Sequence, residues 1–425
     1  MSAPRLQRLL PRNKLVLDLL LYLGFFVFAL STALAAEFYG YRIWGNFATV
    51  GYGLAAAFTG WSLLSSRRGA PQLSRWVPIA VIGVLAMVVP LAVLVVRRLT
   101  GVDWLITPGS WSAQPEVWVI ERSASLLLEH GTPYVDFTTL GRSPVVNDYT
   151  PYGPVMAVFG LPRALFGGGP LANALTDARW MFALAACLCV LATLRLLKWP
   201  KIPVGAAQLA LACPLTALTW AVAGPDLAIA GLLVLSCALA STGRAVVAGL
   251  VLALVISAKL IVLPAAVVLG VLLLTRRGPR ALGGFVASLL VTTAVLHVPV
   301  YLANPPAFVE HVIRFPLGMG VVTSPAASPL PGHLIAATGP AGTVIAFVLL
   351  GAAASAVALW LSRRPPVNGS DALLRIAVGL GALILLTPAT RYGYLVYPLI
   401  LLGALLVFRR AEDGTAPPAQ PATSS

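Results

Sequence analysis

Long apolar stretches separated by short polar segments make up most of this chain. About twenty consecutive apolar residues cross the hydrocarbon core of a bilayer in helical form. Twelve stretches are interpreted as membrane helices, two of them short, near residues 15–36, 43–64, 77–96, 178–197, 203–222, 226–241, 245–258, 260–275, 281–302, 335–361, 371–388 and 392–408. The predicted fold class is therefore an all-α polytopic membrane protein with about 12 transmembrane helices.

The longest polar stretch, residues 97–177, follows the third predicted helix. Lys and Arg collect in the loops of the opposite side, so the positive-inside rule predicts that both termini are cytoplasmic. The expected organisation is a two-helix membrane hairpin at 1–76, a transmembrane core at 77–410 that includes an extracytoplasmic loop at 97–177, and a disordered cytoplasmic tail at 411–425. In this orientation the chain is a multi-pass protein of the plasma membrane.

Composition agrees with lipid as the solvent. Hydrophobic residues make up 59% of the chain and charged residues only 10%, whereas soluble domains carry about 25% charged residues. The net charge of +15 comes from clusters between apolar runs. It therefore predicts membrane lipid, and not nucleic acid, as the partner of these basic residues.

The acidic residues are distributed unevenly across the membrane. Of the fourteen, ten are expected at or beyond the outer ends of helices, namely Glu37, Asp103, Glu116, Glu121, Glu129, Asp136, Asp148, Asp177, Asp226 and Glu310. A polar reaction chamber on the outer face would explain this asymmetry, because a carboxylate can take a proton from a reacting hydroxyl group.

Residues 115–154 carry the most informative pattern. Apolar residues recur at helical spacing between Pro115 and Gly131, which predicts an amphipathic helix lying along the outer membrane surface. Glu116 falls in the first turn of this helix, where the helix dipole favours a carboxylate. Groups suited to bind a sugar follow at Tyr134, Asp148, Tyr149 and Tyr152.

Lys259 is the candidate cation for a phosphate group. It lies between two apolar pieces of about fourteen residues, each too short to cross fully, so their junction is expected in a cavity below the outer surface. A lysine inside a membrane is costly and usually functional. Arg391 is the next cation on the same side. For both residues the alternative is an interfacial anchor that snorkels to the head groups.

The loop at 303–333 adds a second group of polar residues. Pro305 opens a short helix in which His311 and Arg314 are three residues apart and are expected to share a face. They are candidates for phosphate or acceptor binding, with a solvated face as the alternative. His333 opens the next helix, where a capping role is the alternative. The histidine and acid spacing fits no metal site, so neither a metal nor a cofactor is predicted.

Three motifs of this chain resemble one enzyme family. The loop pattern is Glu116 to Gly131-x-Pro133-Tyr134, then Tyr149-x-Pro151-Tyr152-x-Pro154, and the others are Gly224-x-Asp226 and Gly249 to Ala258-Lys259 and Pro264. They resemble the polyprenyl-phosphate-mannose-dependent glycosyltransferases of glycosyltransferase family 87, in the GT-C superfamily. The resemblance covers about residues 80–410. Family members typically have Asp where Glu116 stands, and often Pro where Leu260 stands.

The resemblance implies a GT-C-like fold and an inverting transfer on the extracytoplasmic side. A hexose, typically mannose, passes from a polyprenyl-phosphate donor to a hydroxyl group of a glycolipid, glycan or protein acceptor. The candidate bases are Glu116, Glu121 and Asp148. The candidate donor-phosphate residues are Lys259, Arg391, His311 and Arg314. The candidate sugar or acceptor residues are Tyr134, Tyr149, Tyr152, Asp226 and His333.

Two other functional classes are weighed against a glycosyltransferase. A transporter or lipid flippase would carry charges deep in several helices and would show symmetric halves, whereas the acids here collect on one rim. A non-enzymatic scaffold leaves the outer carboxylates and the amphipathic loop helix without a role. Both alternatives account for fewer of the features of the sequence than an enzyme does.

Overall fold

A computed structural model of the protein describes residues 3–68, 73–100 and 111–414, with side chains throughout these ranges except at 3–13, 67 and 100. Asp103 and residues 415–425 of the predicted tail lie outside the described ranges. Within them the chain is helical and contains no β-strand.

Nineteen α-helices are present in the described ranges. They are α1 (Ala3–Ala35), α2 (Tyr39–Arg67), α3 (Trp76–Ile82), α4 (Val89–Val96), α5 (Pro115–His130), α6 (Leu161–Phe166), α7 (Pro170–Leu175), α8 (Ala178–Leu196), α9 (Val204–Ala210), α10 (Pro214–Val222), α11 (Pro225–Ser241), α12 (Ala245–Ala258), α13 (Pro264–Arg277), α14 (Pro279–Ala303), α15 (Pro305–Phe308), α16 (Pro331–Ala336), α17 (Pro340–Arg363), α18 (Gly369–Leu386) and α19 (Val396–Asp413).

Shorter helical turns of other kinds join these helices. The 3-10 turns are Arg97–Thr100, Phe137–Thr139, Val146–Asp148, Pro154–Gly160, Leu260–Val262 and Tyr392–Leu395. The π-helical turns are Gly83–Val88, between α3 and α4, and Val309–Arg314, after α15. The turns Leu260–Val262 and Tyr392–Leu395 follow directly after Lys259 and Arg391, which are described below.

All twelve predicted segments are helical. In the described part of the chain, nine helices are long and apolar enough to cross a membrane, and α9 with α10 forms a further candidate bent by 50°. The remaining two predicted segments, α11 and α12, are apolar helices shorter than 18 residues. The prediction of an all-α polytopic membrane protein is confirmed, while the number of twelve crossings stays a prediction.

The N-terminal hairpin of α1 and α2 packs on the core. Trp44 of α2 donates its Nε1–H to the carbonyl of Ala86 at 2.8 Å, and the hydroxyl group of Tyr52 donates to the carbonyl of Ala212 at 2.8 Å. Apolar residues of α2, α3 and α10 form one buried cluster around these contacts. The hairpin is therefore anchored to the rest of the protein by hydrogen bonds as well as by packing.

Helix α5 confirms the amphipathic helix predicted from the sequence. It begins at Pro115 and ends before Gly131, whose φ of +70° is the left-handed conformation that glycine adopts readily at a helix end. One face of α5, including Val117, Ile120 and Ala124, is buried. The helix thus has a fixed position, with Glu116 in its first turn.

Helix α19 continues to Asp413, so the first residues of the predicted tail are helical. Its last turn is held to the start of α18, because the carboxylate of Glu412 accepts hydrogen bonds from the backbone N–H of Ser370 at 3.0 Å and from the Ser370 hydroxyl group at 2.6 Å. These contacts at a helix N-terminus favour the continued helix.

Candidate active site

Lys259 occupies a break between two helices. Helix α12 ends at Ala258, Lys259 has extended backbone angles (φ −152°, ψ 118°), and a 3-10 turn leads into α13 at Pro264. The break turns the lysine side chain out of the helical course, so that it can reach neighbouring helices. Its side chain is only 11% exposed.

Asp226 is the partner of this lysine. It lies in the first turn of α11, directly after Gly224 and Pro225, and the helix dipole there favours a carboxylate. Gly224 has a φ of +94°, and a Cβ atom at this position would lie 2.9 Å from the ring of Phe182. This close approach needs a glycine, and it sets where α11 and its carboxylate begin.

Asp226 Oδ1 accepts two short hydrogen bonds. One comes from Lys259 Nζ at 2.6 Å and the other from the hydroxyl group of Tyr397 at 2.6 Å. The ammonium group of Lys259 also lies 4.4 Å from the ring centre of Tyr394, within cation–π range. Asp226 Oδ2 has no hydrogen-bond partner within the described part of the chain.

Glu116 and Arg391 form a second ion pair, across 275 residues of sequence. Arg391 Nη1 donates to Glu116 Oε1 at 3.1 Å. The second oxygen, Oε2, has no protein partner among the residues that the structure describes. The side chain of Glu116 is 19% exposed and that of Arg391 is 38% exposed, so this pair can be reached from outside.

The segment that carries Arg391 is fixed by backbone hydrogen bonds. Thr390 forms an isolated bridge with Ala327, and the N–H of Tyr392 donates to the Ser328 hydroxyl group at 3.1 Å. His333 Nδ1 donates to the carbonyl of Pro388 at 2.9 Å. His333 therefore positions the segment that presents Arg391.

The two ion pairs belong to one group of side chains, named here the acid–base cluster: Glu116, Asp226, Lys259 and Arg391, with the rings of Tyr152, Tyr394 and Tyr397. Burial raises the pKa of Glu116, and the charges of Arg391 and Lys259 oppose this rise without cancelling it. A carboxyl group with a raised pKa is a stronger base once ionised. This suits Glu116 to accept a proton.

Tyr152 reaches the cluster because its chain segment docks on the end of α12. The N–H of Gly153 donates to the carbonyl of Ala258 at 3.1 Å. A Cβ atom on Gly153 would lie 2.0 Å from the carbonyl oxygen of Ser257, so only glycine permits this approach. The ring of Tyr152 consequently has its centre 5.8 Å from Lys259 Nζ.

The N-terminal hairpin also contributes to the cluster. Gln114 Nε2, just before α5, donates to the hydroxyl group of Tyr41 in α2. The charges of Glu116 and Arg391 both act on this hydroxyl group. Beside it lies a cavity of about 10 Å³, lined in part by Phe38, Tyr41 and Trp111, which is room for one water molecule. Sequence reasoning missed Tyr41, Tyr394 and Tyr397, because interfacial tyrosines are common in membrane proteins.

Glu121, the second candidate base, lies in a different network. Its carboxylate accepts hydrogen bonds from Arg98 at 3.0 and 3.2 Å and from the N–H of Ala178 at 3.0 Å. Asp177, which pairs with Arg98 and Arg179, is fully buried beside it. Burial raises the pKa of Glu121. These contacts brace α5 against α8 and do not include the acid–base cluster.

Asp148, the third candidate, is also engaged elsewhere. Arg142 donates to both of its carboxylate oxygens, at 2.7 and 2.8 Å, and the N–H of Val145 donates at 2.8 Å. Burial opposes its ionisation, but these hydrogen bonds outweigh it and lower the pKa of Asp148. A carboxylate stabilised in this way is a weak base.

Hydrogen bonds of buried side chains join the segment 134–150 to the π-helical turn that follows α15. The hydroxyl group of Tyr149 donates to Glu310 Oε1 at 2.8 Å. His311 is fully buried; its Nδ1 accepts from the N–H of Thr150 at 2.9 Å, and its Nε2 donates to the carbonyl of Val135 at 3.0 Å. Burial lowers the pKa of His311 to about 4. Both ring nitrogens are used within the protein, which leaves none for a phosphate.

Arg314 lies in different surroundings from His311. Residues Val309–Arg314 form a π-helical turn instead of the regular helix expected, and His311 is fully buried in it. The Arg314 side chain is 52% exposed and lies 3.5 Å from Glu310. It remains available to an anion at the surface.

Tyr134 is held by the protein as well. Its hydroxyl group donates to the backbone carbonyl of Tyr152 at 3.0 Å, and its ring stacks on His311 with centres 5.4 Å apart. Tyr134 and Tyr149 are nearly inaccessible, at 2% and 1% exposure. They support the segment that carries Tyr152. Within the described residues, no group of three His, Cys, Asp or Glu side chains could hold a metal ion.

Comparison with known proteins gives one match. The profile of glycosyltransferase family 87 matches residues 149–389, more than half of the chain. This range contains Tyr152, Asp226 and Lys259, but it ends before Arg391 and begins after Glu116. It is shorter than the 80–410 expected from the motifs. Searches of curated proteins and of solved structures give no significant match.

Proposed function

Since the chain belongs to glycosyltransferase family 87 and is therefore a membrane glycosyltransferase, we propose that it transfers a hexose, mannose first among the candidates, from a polyprenyl-phosphate donor to an acceptor hydroxyl group at the acid–base cluster. The observation that carries this proposal is the grouping of Glu116, Asp226, Lys259 and Arg391 from four distant parts of the sequence. A glycolipid, a glycan or a protein can supply the acceptor hydroxyl group.

Glu116 is the proposed base. The acceptor oxygen attacks the anomeric carbon of the sugar, the bond from that carbon to the phosphate oxygen breaks, and its electron pair leaves with the polyprenyl phosphate. The acceptor proton passes to Glu116 Oε2, the oxygen that Arg391 leaves open. This single displacement inverts the anomeric configuration, since retention would require a separate nucleophile.

The two cations are proposed to bind the donor phosphate. The donor is a phosphodiester with one negative charge, and the leaving polyprenyl phosphate is a monoester that reaches about −1.5 to −2 at pH 7. Positive groups close to the leaving oxygen stabilise this added charge. Lys259 has three N–H donors, of which Asp226 takes one, and Arg391 is partly exposed.

The remaining residues of the cluster are proposed to hold the sugar. Asp226 Oδ2 is open to accept from a sugar hydroxyl group, while Oδ1 stays bound to Lys259 and Tyr397. The rings of Tyr152 and Tyr394 are the aromatic surfaces nearest to Lys259 Nζ. Tyr134, Tyr149, His311 and His333 support this group from behind through the hydrogen bonds described above.

The active site is proposed to face out of the cytoplasm at the plasma membrane. The distribution of Lys and Arg supports this orientation, because basic loops favour the cytoplasmic side. The alternatives of a transporter or a scaffold are less well supported, since family membership specifies sugar transfer. No step of the proposed reaction needs a metal or an organic cofactor.

The decisive experiment replaces Glu116 by Gln and follows consumption of polyprenyl-phosphate-mannose by the purified protein. Glutamine keeps the shape and the hydrogen bond to Arg391 but cannot take the proton. Loss of a general base predicts a decrease of about 10²–10⁴-fold in transfer. The amount of folded protein is measured in parallel by size-exclusion chromatography.

Glu129→Gln provides the matched control, because Glu129 lies on the same helix with its side chain 64% exposed. It is expected to keep wild-type transfer. Full activity of the Glu116→Gln variant would exclude Glu116 as the base. Absence of donor consumption by the wild-type protein with any acceptor would contradict the proposed donor.

A further inference from the structure

An open cleft of about 480 Å³ lies far from the acid–base cluster. Its walls come from the ends of α8, α11, α13 and α19 and from the start of α18. This cleft is named here the basic cleft. The polar residues that line it are Lys198, Ser241, Thr242, Arg276, Arg277, Asn368 and Glu412. A volume of this size is typical of ligand pockets, which run from about 300 to 1,000 Å³.

The basic cleft and the acid–base cluster lie at opposite ends of the same helices. Helix α13 runs from just after Lys259 to Arg277, and α11 runs from Asp226 to Ser241 at the cleft. At 1.5 Å per residue, the 14 residues of α13 span about 21 Å. The segment Leu260–Arg277, which connects the two regions, is long and apolar enough to cross a membrane.

The cations of the basic cleft have no acidic partner in the part of the chain that the structure describes. Within the described ranges, no carboxylate lies within ion-pair distance of Lys198, Arg276 or Arg277. The one acid that lines the cleft, Glu412, is bound to Ser370 at the start of α18. Three cations against one acid give the cleft a net positive charge, which attracts anions.

Two of these cations lie at special backbone positions. A Cβ atom on Gly243, which has a φ of +84°, would lie 2.9 Å from the guanidinium group of Arg277, so this group rests on the glycine backbone. Lys198 has a φ of +60°, a conformation rare outside glycine, which turns the chain at the end of α8. The next residue, Trp199, is 61% exposed. An exposed tryptophan at a helix end is typical of the head-group level of a bilayer.

We propose that the basic cleft binds the phosphate group of an anionic phosphorylated ligand at the membrane surface opposite the acid–base cluster. Guanidinium groups bind phosphate through paired N–H donors, and basic pockets between membrane helices bind phospholipid head groups. Two sources offer this chemistry, the head group of an anionic phospholipid and free phosphate in solution. This binding site is independent of the proposed transfer reaction.

The test measures the unfolding temperature of the full chain, purified in detergent, with phosphatidylglycerol, with phosphatidylcholine and with inorganic phosphate. A ligand bound only by the folded state raises this temperature. We expect phosphatidylglycerol to raise it by about 3 °C or more, and phosphatidylcholine to leave it unchanged. The variant Arg276→Gln/Arg277→Gln is expected to lose this increase, and Arg276→Lys/Arg277→Lys to keep part of it.

The matched control is Arg409→Gln/Arg410→Gln, which removes an exposed basic pair at the same end of α19 without altering the lining of the cleft. It is expected to respond to phosphatidylglycerol like the wild-type protein. If inorganic phosphate raises the unfolding temperature, and this increase depends on Arg276 and Arg277, the cleft binds phosphate and its ligand is soluble. Two results would overturn the proposal. One is an equal increase in unfolding temperature in all variants, and the other is no increase with phosphatidylglycerol or with inorganic phosphate.

Discussion

Cations lie near both ends of helices α13 and α19, but in different surroundings. At one end, Lys259 and Arg391 each contact a carboxylate, at 2.6 and 3.1 Å. At the other end, Arg276 and Arg277 line an open cleft, and no carboxylate of the described residues pairs with them. The difference follows from solvent access, since a buried cation needs a partner whereas an exposed one is stabilised by water.

The comparison indicates how the two ends interact with anions. Within the acid–base cluster the two pairs are formally neutral, so a bound phosphate must share cations that already serve Asp226 and Glu116. The basic cleft carries excess positive charge and is suited to hold an anion without chemistry.

The comparison requires the acid–base cluster and the basic cleft to face different compartments. Cysteine labelling tests this requirement and is expected to give an all-or-none result. Gly131 lies beside Ala303, at the far end of α14 from Arg280. Cysteines introduced as His130→Cys and Arg280→Cys are therefore expected to react with a membrane-impermeant maleimide from opposite sides of sealed vesicles. The wild-type protein, with its four native cysteines, gives the background. Labelling of both positions from the same side would end the comparison.

The next largest effect is expected from Lys259→Met. Removing one partner of a buried ion pair leaves Asp226 uncompensated, which costs about 3–5 kcal/mol of stability. Loss of one cation from the site of charge development predicts about 100-fold slower transfer or more. Unfolding temperature and initial transfer rate measure the two effects.

The double variant Lys259→Met/Asp226→Asn separates these two effects. Replacing both partners removes the unpaired charge, so most of the stability is expected to return while transfer stays low. Arg409→Met, at the opposite end of α19, is the control and is expected to change neither quantity much. Wild-type transfer in the double variant would show that the pair has only a structural role.

A smaller effect, seen best in the pH profile, is expected from Arg391→Gln. In the proposed reaction, transfer requires ionised Glu116, so its rate is expected to rise with pH through the pKa of that carboxyl group. Arg391 opposes the rise of this pKa that burial causes. Its removal should raise the pKa further and move the acid limb of the kcat/KM profile to higher pH. On that limb, a pKa higher by about 1 makes transfer about tenfold slower at a given pH.

Arg142→Gln is the control for this experiment, because Arg142 pairs with Asp148 outside the acid–base cluster. Its pH profile should follow that of the wild-type protein. If the acid limb of the kcat/KM profile instead stays in place or moves to lower pH in the Arg391→Gln variant, the group titrating in this limb is not Glu116.

Local pattern in the sequence predicted the elements that carry the site. The apolar spacing and the terminal glycine predicted α5, and the two short apolar pieces around Lys259 predicted the break between α12 and α13. These features depend on neighbours within a few residues. Periodicity and helix-end chemistry are visible without knowledge of how the helices pack.

The same reasoning could not choose among the three candidate bases. Glu116, Glu121 and Asp148 all lie in the polar stretch 97–177, and only the packed structure shows their partners. Glu116 pairs with Arg391, Glu121 with Arg98 and Asp148 with Arg142. This reasoning also assumed a regular helix around His311, where the structure has a π-helical turn.

The sequence by itself determined the membrane fold class and the helices, because backbone groups in lipid must form their hydrogen bonds within each helix. It also placed a carboxylate-rich segment after the third predicted helix. The tertiary structure decided which charges meet, as in the contact between Glu116 and Arg391 across 275 residues. Such pairs depend on the relative positions of packed helices, and those positions follow from interactions spread over the whole chain.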